Sequence, residues 1–123
     1  MPSDSDAEQR PWGSYKILSD SHDCKVKRIS VKPHGRLSYQ YHRKREEFWT
    51  FVCGTGKVVL DGVEQEVSAG SVFHVPHGCK HRVENTGTED LDFVEVQLGT
   101  YFGEDDIVRL LDDYGRAPGR EGG

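Results

Sequence analysis

Short runs of β-favouring residues, broken every several residues by Gly, Pro, Asn or Asp, extend along most of this 123-residue chain. The runs are rich in Val, Ile, Phe, Tyr and Thr, whose side chains suit the pleated, half-buried surface of a sheet. Many short strands separated by turn residues are typical of an antiparallel sandwich or barrel. The predicted strands span residues 13–18, 24–32, 36–42, 47–53, 57–60, 63–67, 71–75, 81–85 and 91–98.

A hairpin and a short helix are predicted from two local patterns. Asp61-Gly62 lies between two predicted strands and is a strong signal for a type I′ turn. Residues 104–114 predict the one helix of the chain, because Ile107 and Leu111 recur at helical spacing and acidic residues occupy the first turn. We expect this helix to cap the barrel.

The length of the chain suits one domain with one core. We expect residues 11–116 to form that domain, with a polar, mobile tail at residues 1–10 and a Gly- and Pro-rich, mobile tail at residues 117–123. Lys and Arg total 16 against 21 Asp and Glu, which gives a net charge of -5. No block of basic residues is separated from the acidic residues. Nucleic acid is therefore not an expected partner.

Composition also bears on location. The apolar runs are far shorter than the roughly 20 residues that span a bilayer, and residues 1–10 lack an apolar signal core. The three cysteines show no CxxC spacing and suit reduced thiols better than a disulfide framework. We expect a soluble, cytoplasmic protein with no membrane partner.

One predicted strand, 36–42, has an entirely polar face. Alternation places Arg36, Ser38, Gln40 and His42 together on that face. A polar face of this kind is often simply solvated in antiparallel sheets.

The next strand argues for a ligand instead. Glu47 begins a face whose following members, Trp49 and Phe51, are apolar, and an unpaired carboxylate there would be costly. A divalent ion would keep Glu47 ionised, and Gln40 and His42 could reach the same ion from the adjacent strand.

A second set of residues fits a known sequence motif. Residues 70–85 match G-x5-P-x-G-x2-H-x3-N in full, the second motif of the cupins, and its histidine is His81. The first cupin motif is met less closely, because Gln40 stands where many cupins have a histidine and Gly35 is one place late. The chain thus resembles an all-β cupin, a double-stranded β-helix or jelly-roll-like barrel.

The resemblance and the residue pattern together predict one divalent metal ion. Two imidazoles, one amide oxygen and one carboxylate would leave open coordination positions, which suit catalysis. Zinc is our first choice, and manganese, cobalt or iron are alternatives that the ligand set allows. The predicted ligands are Gln40, His42, Glu47 and His81.

Further strings resemble the C-terminal isomerase domain of type II mannose-6-phosphate isomerases, the bifunctional mannose-1-phosphate guanylyltransferases. That family binds its metal through Gln, His, Glu and His, and carries an arginine two residues before the Glu, where this chain has Arg45. The chain departs from the family at residues 43–44 and at Phe48, where histidines are usual. The matching strings are RPWGSY (10–15), VKRI (26–29), LSYQYH (37–42), VEVQ (94–97), GEDDIVR (103–109) and YGR (114–116).

The resemblance implies an activity, namely metal-dependent interconversion of mannose 6-phosphate and fructose 6-phosphate through a cis-enediol. The general base stays open among Glu95, Lys80, His74 and His77. A phosphate requires cations, and Arg45, Lys80, Arg36 and Arg109 could supply them. The predicted catalytic residues are Arg45, Glu95 and Lys80, and the predicted substrate-binding residues are Arg36, Ser38, Gln97 and Arg109.

Other classes of protein stay open at this point. A non-catalytic sugar-binding cupin, or a cupin enzyme acting on another carbohydrate, would share the same motifs. A cupin oxygenase usually has three histidines or a facial triad, so Gln40 argues against it. We also expect a homodimer, because pairing would cover exposed sheet edges.

Overall fold

The computed structural model describes residues 7–115, which form two antiparallel sheets. The all-β cupin fold expected from the sequence is confirmed. All nine predicted strands are present, with ends shifted by at most three residues. The strands are β1 (Glu8–Arg10), β2 (Gly13–Asp20), β3 (Cys24–Val31), β4 (Tyr39–His42), β5 (Arg45–Cys53), β6 (Thr55–Leu60), β7 (Val63–Ser68), β8 (Val72–Val75), β9 (His81–Asn85), β10 (Leu91–Gly99) and β11 (Ile107–Leu111).

The core lies between the inner faces of the two sheets. One sheet has the order β1-β2-β3-β10-β5-β8 and the other the order β11-β4-β9-β6-β7. Trp49, Phe51 and Phe93 supply a packed aromatic cluster from the first sheet, and Val58 and Val83 face it from the second. Trp49 also contacts the ring of His81 edge-on, so the core continues directly into the polar end of the barrel. No helix among the described residues has the length and apolar character that crossing a bilayer requires.

The predicted hairpin is present between β6 and β7. Leu60 pairs with Val63, and the two turn residues between them have positive φ, 46° at Asp61 and 84° at Gly62. Positive φ at both central positions defines the type I′ turn, whose twist matches that of the strands it joins. The Asp61 carboxylate also accepts a hydrogen bond from the backbone N–H of Lys80 at 2.9 Å, which ties this turn to the segment before β9.

The predicted C-terminal helix is wrong. Within residues 104–114 the chain makes one 3-10 turn, Glu104–Asp106, and then the strand β11, which pairs antiparallel with β4. Ile107 and Val108 are β-branched and suit a strand, and β4 would otherwise present an open sheet edge. Tertiary pairing therefore outweighs the helical spacing, and it brings Arg109 opposite Gln40.

The expected N-terminal tail is also corrected in part. Residues Glu8–Arg10 form β1 and pair with β2, so the ordered sheet begins before residue 11. Residues 1–6 and 116–123, which include the rest of both expected tails, lie outside the described residues.

Candidate metal centre and adjoining pocket

Three of the four predicted ligands converge at one point between the sheets. His42 ends β4, Glu47 lies near the start of β5, and His81 begins β9. One ligand atom from each lies within 4.8 Å of the other two, and each residue is at most 3% exposed. The two histidine rings stack with their centroids 5.4 Å apart. The fold thus brings His42 and His81, which are 39 residues apart in the sequence, into one buried cluster.

His81 is in the form that a metal site requires. Its Nδ1 lies 2.9 Å from the backbone carbonyl of Cys79, and because a carbonyl can only accept, Nδ1 carries the proton. The lone pair is therefore on Nε2, which lies 3.5 Å from the side-chain amide of Gln40. Burial lowers the pKa of His81 to about 4, so the ring is neutral near pH 7. A neutral imidazole with its second nitrogen held by a carbonyl is a common arrangement for a metal ligand.

Gln40 approaches the cluster from β4, directly opposite His81 in the sheet. Its Oε1 accepts a hydrogen bond from the Ser38 hydroxyl at 2.5 Å, while its Nε2 faces His81. A half-turn of the amide would exchange the two atoms and place the oxygen beside the imidazole. Gln40 is therefore placed to act as a fourth ligand after that rotation.

Glu47 is compensated in a way that the sequence analysis did not foresee. Its Oε2 accepts a hydrogen bond from Arg45 Nε at 2.9 Å, and its Oε1 accepts one from Trp49 Nε1 at 3.0 Å. Arg45 and Glu47 are two residues apart on one strand, so their side chains share a face, and both are almost fully buried. A metal ion is therefore not the only partner available to this carboxylate.

The donor set nevertheless fits a divalent ion. Two imidazoles, a carboxylate and an amide are ligands that zinc, iron, manganese and cobalt accept in various proportions. The group is closely spaced and buried, and the proton of His81 is held away from the cluster. The fit thus rests on geometry and on donor chemistry.

A second carboxyl group, Glu95, lies beside the cluster on β10. It pairs across the sheet with Trp49 on one side and with Lys27 on the other, and it accepts a hydrogen bond from Gln97 Nε2 at 2.7 Å. Burial and the nearby charge of Glu47 raise the pKa of Glu95 to about 8. Perturbed carboxyl groups of this kind are frequent in functional sites.

An open pocket adjoins the cluster and is strongly cationic. Four of its side chains carry positive charge, and Glu95 is the one acidic group among the described residues that line it. Lys27 is only 3% exposed, an unusual degree of burial for a lysine. The pocket is lined by Arg10, Trp12, Tyr15, Lys27, Ile29, Leu37, Gln40, Arg45, Glu95, Ile107 and Arg109.

Arg10, Tyr15 and Lys27 line the pocket but were not predicted from the sequence. One signal was available, because Lys27 shares the inward face of β3 with the apolar Ile29 and Val31. A lysine within an apolar strand face predicts either a buried ion pair or a ligand. Arg10 gave no such signal, since its strand is only three residues long.

Several other predicted residues lie elsewhere. Arg36 forms an ion pair with Asp113 at 2.6 Å on an exposed surface, and Lys80 is exposed and is not among the pocket residues. Among the candidate bases, His74 is exposed and lies 2.6 Å from Glu46, and His77 is exposed as well. The structure thus does not bring these four side chains to the pocket.

Comparison with known proteins shows the family of this chain. Residues 4–113 match the family model described as "Mannose-6-phosphate isomerase C-terminal". A mannose-1-phosphate guanylyltransferase of Escherichia coli K12 is 44% identical over 107 residues, and the match covers 87% of this chain and 22% of that protein. The xanthan biosynthesis protein XanB of Xanthomonas campestris (strain B100) is 43% identical over the same share of this chain and 23% of its own length.

Solved structures show the same fold at low sequence identity. Oxalate decarboxylase of Lactobacillus farciminis superposes with a TM-score of 0.72 and 23% identity, over 85% of this chain and 33% of that chain. CapF, the capsular polysaccharide assembling protein of Staphylococcus aureus, gives a TM-score of 0.74 and 22% identity, over 85% of this chain and 34% of that one. These likenesses concern the fold alone.

The comparisons also correct the predicted activity. We expected an enzyme that interconverts mannose 6-phosphate and fructose 6-phosphate, whereas the guanylyltransferases among the relatives are enzymes named for a different reaction. The chain spans less than a quarter of the length of these relatives. The prediction of that isomerase activity was therefore wrong. The finding that stands is membership: this chain belongs to the mannose-6-phosphate isomerase C-terminal family and has the cupin fold.

Proposed function

We propose that this cupin is a metal-dependent enzyme that acts on a phosphorylated sugar by acid–base catalysis. The observation that carries the proposal is the contiguity of two features, a buried His42, Glu47 and His81 cluster and a cationic pocket that contains Glu95. The substrate is a class, phosphorylated sugars, and not the specific pair of hexose phosphates predicted from the sequence. The names of the relatives, which refer to mannose 1-phosphate, support a sugar phosphate as the ligand.

The residues of the cluster would hold the ion. His81 and His42 would bind through ring nitrogens, Glu47 through a carboxylate oxygen, and Gln40 through its amide oxygen. A bound divalent ion would polarise a sugar carbonyl or hydroxyl and stabilise the negative charge that develops there. We place zinc first, with manganese, cobalt or iron as alternatives.

Two neighbouring side chains would position the reacting groups. Arg45 keeps Glu47 in place through its hydrogen bond of 2.9 Å, and Gln97 orients Glu95 through its own of 2.7 Å. Glu95 would take a proton from the sugar carbon next to the carbonyl and would return one when the carbonyl compound forms again. That transfer is general acid–base catalysis by one carboxyl group.

Deuterium exchange tests this proposal without prior choice of substrate. Purified protein, stripped of metal and then loaded separately with zinc, manganese, cobalt or iron, is incubated in D2O with a panel of aldose and ketose phosphates. We expect deuterium at the carbon next to the carbonyl of at least one compound, detected by NMR, and loss of this exchange in Glu95→Gln. Glu89→Gln, at an exposed position, is the matched control.

The outcomes separate the classes of function. Exchange that requires both metal and Glu95 supports an enzyme. Stoichiometric metal and sugar-phosphate binding with no exchange under any loading would contradict it, and would indicate a non-catalytic sugar-binding cupin.

Two further properties stay predictions. We expect a homodimer, and the outer face of β5 and β8 carries exposed apolar side chains that a partner copy could cover, with Phe48, Val52 and Val72 at 36%, 40% and 66% exposure. Sedimentation equilibrium of the wild type against Val72→Lys tests this, and a monomer at all concentrations would contradict it. A cytoplasmic location also stays a prediction.

A further inference from the structure

We propose that the pocket binds the phosphate of its ligand at the end away from the metal cluster, on Arg10 and Lys27 placed around Tyr15. This inference rests on the proposed sugar-phosphate site and assigns the orientation of the ligand within it. The chemical class recognised is a phosphate monoester, a dianion near neutral pH.

The pocket has two distinguishable cationic ends. Arg45 is committed to Glu47 by the hydrogen bond from its Nε at 2.9 Å, and Arg109 on β11 pairs directly opposite Gln40 on β4. Both arginines therefore belong to the end where the metal ligands lie. Arg10 and Lys27 come from β1 and β3, which β10 separates from β5 in the first sheet.

Tyr15 contacts both of these cations. The Lys27 ammonium lies 4.2 Å from the centre of the Tyr15 ring, and the Arg10 guanidinium lies 5.1 Å from it. Arg10 also donates to the Tyr15 hydroxyl at 3.1 Å and to the backbone carbonyl of Gln9 at 2.8 Å. Cation–π contacts and hydrogen bonds thus position two like charges that would otherwise repel each other.

The strand register fixes which side chains of β2 and β3 share a face. Tyr15 pairs with Ile29 and Ile17 pairs with Lys27, so Tyr15 and Lys27 lie on the same face of β2 and β3. Lys27 also pairs with Glu95, which in turn pairs with Trp49. Two strand spacings, about 10 Å in total, separate the backbone at Lys27 from β5, where Glu47 lies. A sugar ring can therefore lie between a phosphate on Lys27 and the cluster, with Glu95 beside it.

Arginine and lysine are both suited to this task. Guanidinium binds two phosphate oxygens at once, and ammonium supplies a compact charge. The burial of Lys27 strengthens its attraction for an anion, because water screens the charge less. Arg10 also lies 3.7 Å from the exposed carboxylate of Glu8, a pairing that water screens. The two cations together match the double charge of a phosphate monoester.

Binding measurements on point variants test the inference. Lys27→Met keeps most of the length of the side chain and removes its charge. Arg10→Gln also removes a charge, and because the Arg10 side chain is 34% exposed, this change should affect the stability of the fold less. Lys16→Met is the matched control, because Lys16 adjoins Tyr15 but pairs with Arg28 and is not among the pocket residues. Calorimetry would measure Kd for mannose 6-phosphate, mannose 1-phosphate, inorganic phosphate and unphosphorylated mannose. Circular dichroism checks the fold of each variant, and metal stoichiometry is measured alongside.

We expect each charge removal to raise the Kd of the tighter-binding phosphate ester at least about tenfold, or about 1.4 kcal/mol. Kd for mannose should change less than about twofold, and the metal stoichiometry should stay the same. Equal Kd values for the ester in wild type, Arg10→Gln and Lys27→Met would overturn the inference. So would equal losses for mannose and its phosphates, which a purely structural role of these residues would produce, or the failure of every phosphate compound to bind.

The failure of this inference is distinguishable from that of the proposed function. Deuterium exchange that persists with unchanged KM in both variants leaves the enzyme proposal intact and removes the phosphate site. Ester binding that depends on Arg10 and Lys27, with no exchange under any metal, leaves the phosphate site intact and removes the enzyme proposal.

Discussion

Replacement of Arg45 by Met should destabilise the metal-free protein strongly. The Arg45 and Glu47 side chains are only 3% and 2% exposed and lie 2.9 Å apart, so the replacement leaves a carboxylate buried without its cation. Breaking a buried pair in this way costs about 3–5 kcal/mol. That is a large part of the about 5–15 kcal/mol by which small domains are stable.

The magnitude can be measured by urea unfolding, followed through the fluorescence of the buried Trp49. With a urea slope of about 1–3 kcal/mol/M for small proteins, the expected loss lowers the midpoint by about 2 M. Lys57→Met is the control, because Lys57 and its partner Glu64 are 33% and 64% exposed and lie 3.6 Å apart. An exposed pair of this kind is worth about 0–1 kcal/mol.

Metal addition supplies an independent check of the same reasoning. If Glu47 binds a divalent ion, zinc should restore stability in Arg45→Met, because the ion replaces the lost positive charge next to the carboxylate. A loss below about 1 kcal/mol in the metal-free variant, equal to that of Lys57→Met, would refute the account of Glu47 as a buried, Arg45-compensated charge.

Three further predictions concern residues outside the metal cluster. Asn85→Ala should cost about 2–4 kcal/mol in thermal unfolding, because the fully buried Asn85 amide bonds two backbone carbonyls and one backbone N–H. Cys53 is exposed, whereas burial raises the pKa of Cys79 to about 11; at pH 8 a thiol reagent should therefore label Cys53 quickly and Cys79 only after unfolding. Gly62→Ala should cost about 1–2 kcal/mol in urea unfolding, since the added methyl group meets open space and only the positive φ opposes it.

Each of these has its own contradicting result. An Asn85→Ala protein as stable as wild type would mean that its backbone partners find other bonds. Rapid labelling of a Cys53→Ser protein at pH 8, beyond what the half-buried Cys24 explains, would contradict the inert state of Cys79. A Gly62→Ala protein that loses no stability would show that the turn tolerates an L side chain there.

The strands could be predicted because their cause is local. The alternation of buried and exposed residues along β5, and the Asp61-Gly62 turn, follow from side-chain preferences that act over a few residues. The metal ligands could be proposed for a related reason, since motif spacing and strand faces specify which side chains point inward. The structure brings His42, Glu47 and His81 together, and metal binding by these residues stays a prediction.

The segment at residues 107–111 could not be assigned correctly from local pattern. Its apolar spacing suits a helix, but β4 offers backbone partners that lie more than 60 residues earlier in the chain. A propensity difference of a few tenths of a kcal/mol per residue is small beside the cost of an open sheet edge.

The all-β class and the hairpin were thus predictable from the amino-acid sequence, which also pointed to the candidate metal ligands. The compensation of Glu47 by Arg45, the position of Arg109 on β11 and the shared pocket of Arg10 and Lys27 depend on the tertiary structure. The two sets of features differ in the range over which their causes act. Alternation and turn chemistry act between neighbours in the chain, whereas ion pairs and pockets depend on which strands lie side by side, and strand order emerges only when the whole barrel closes.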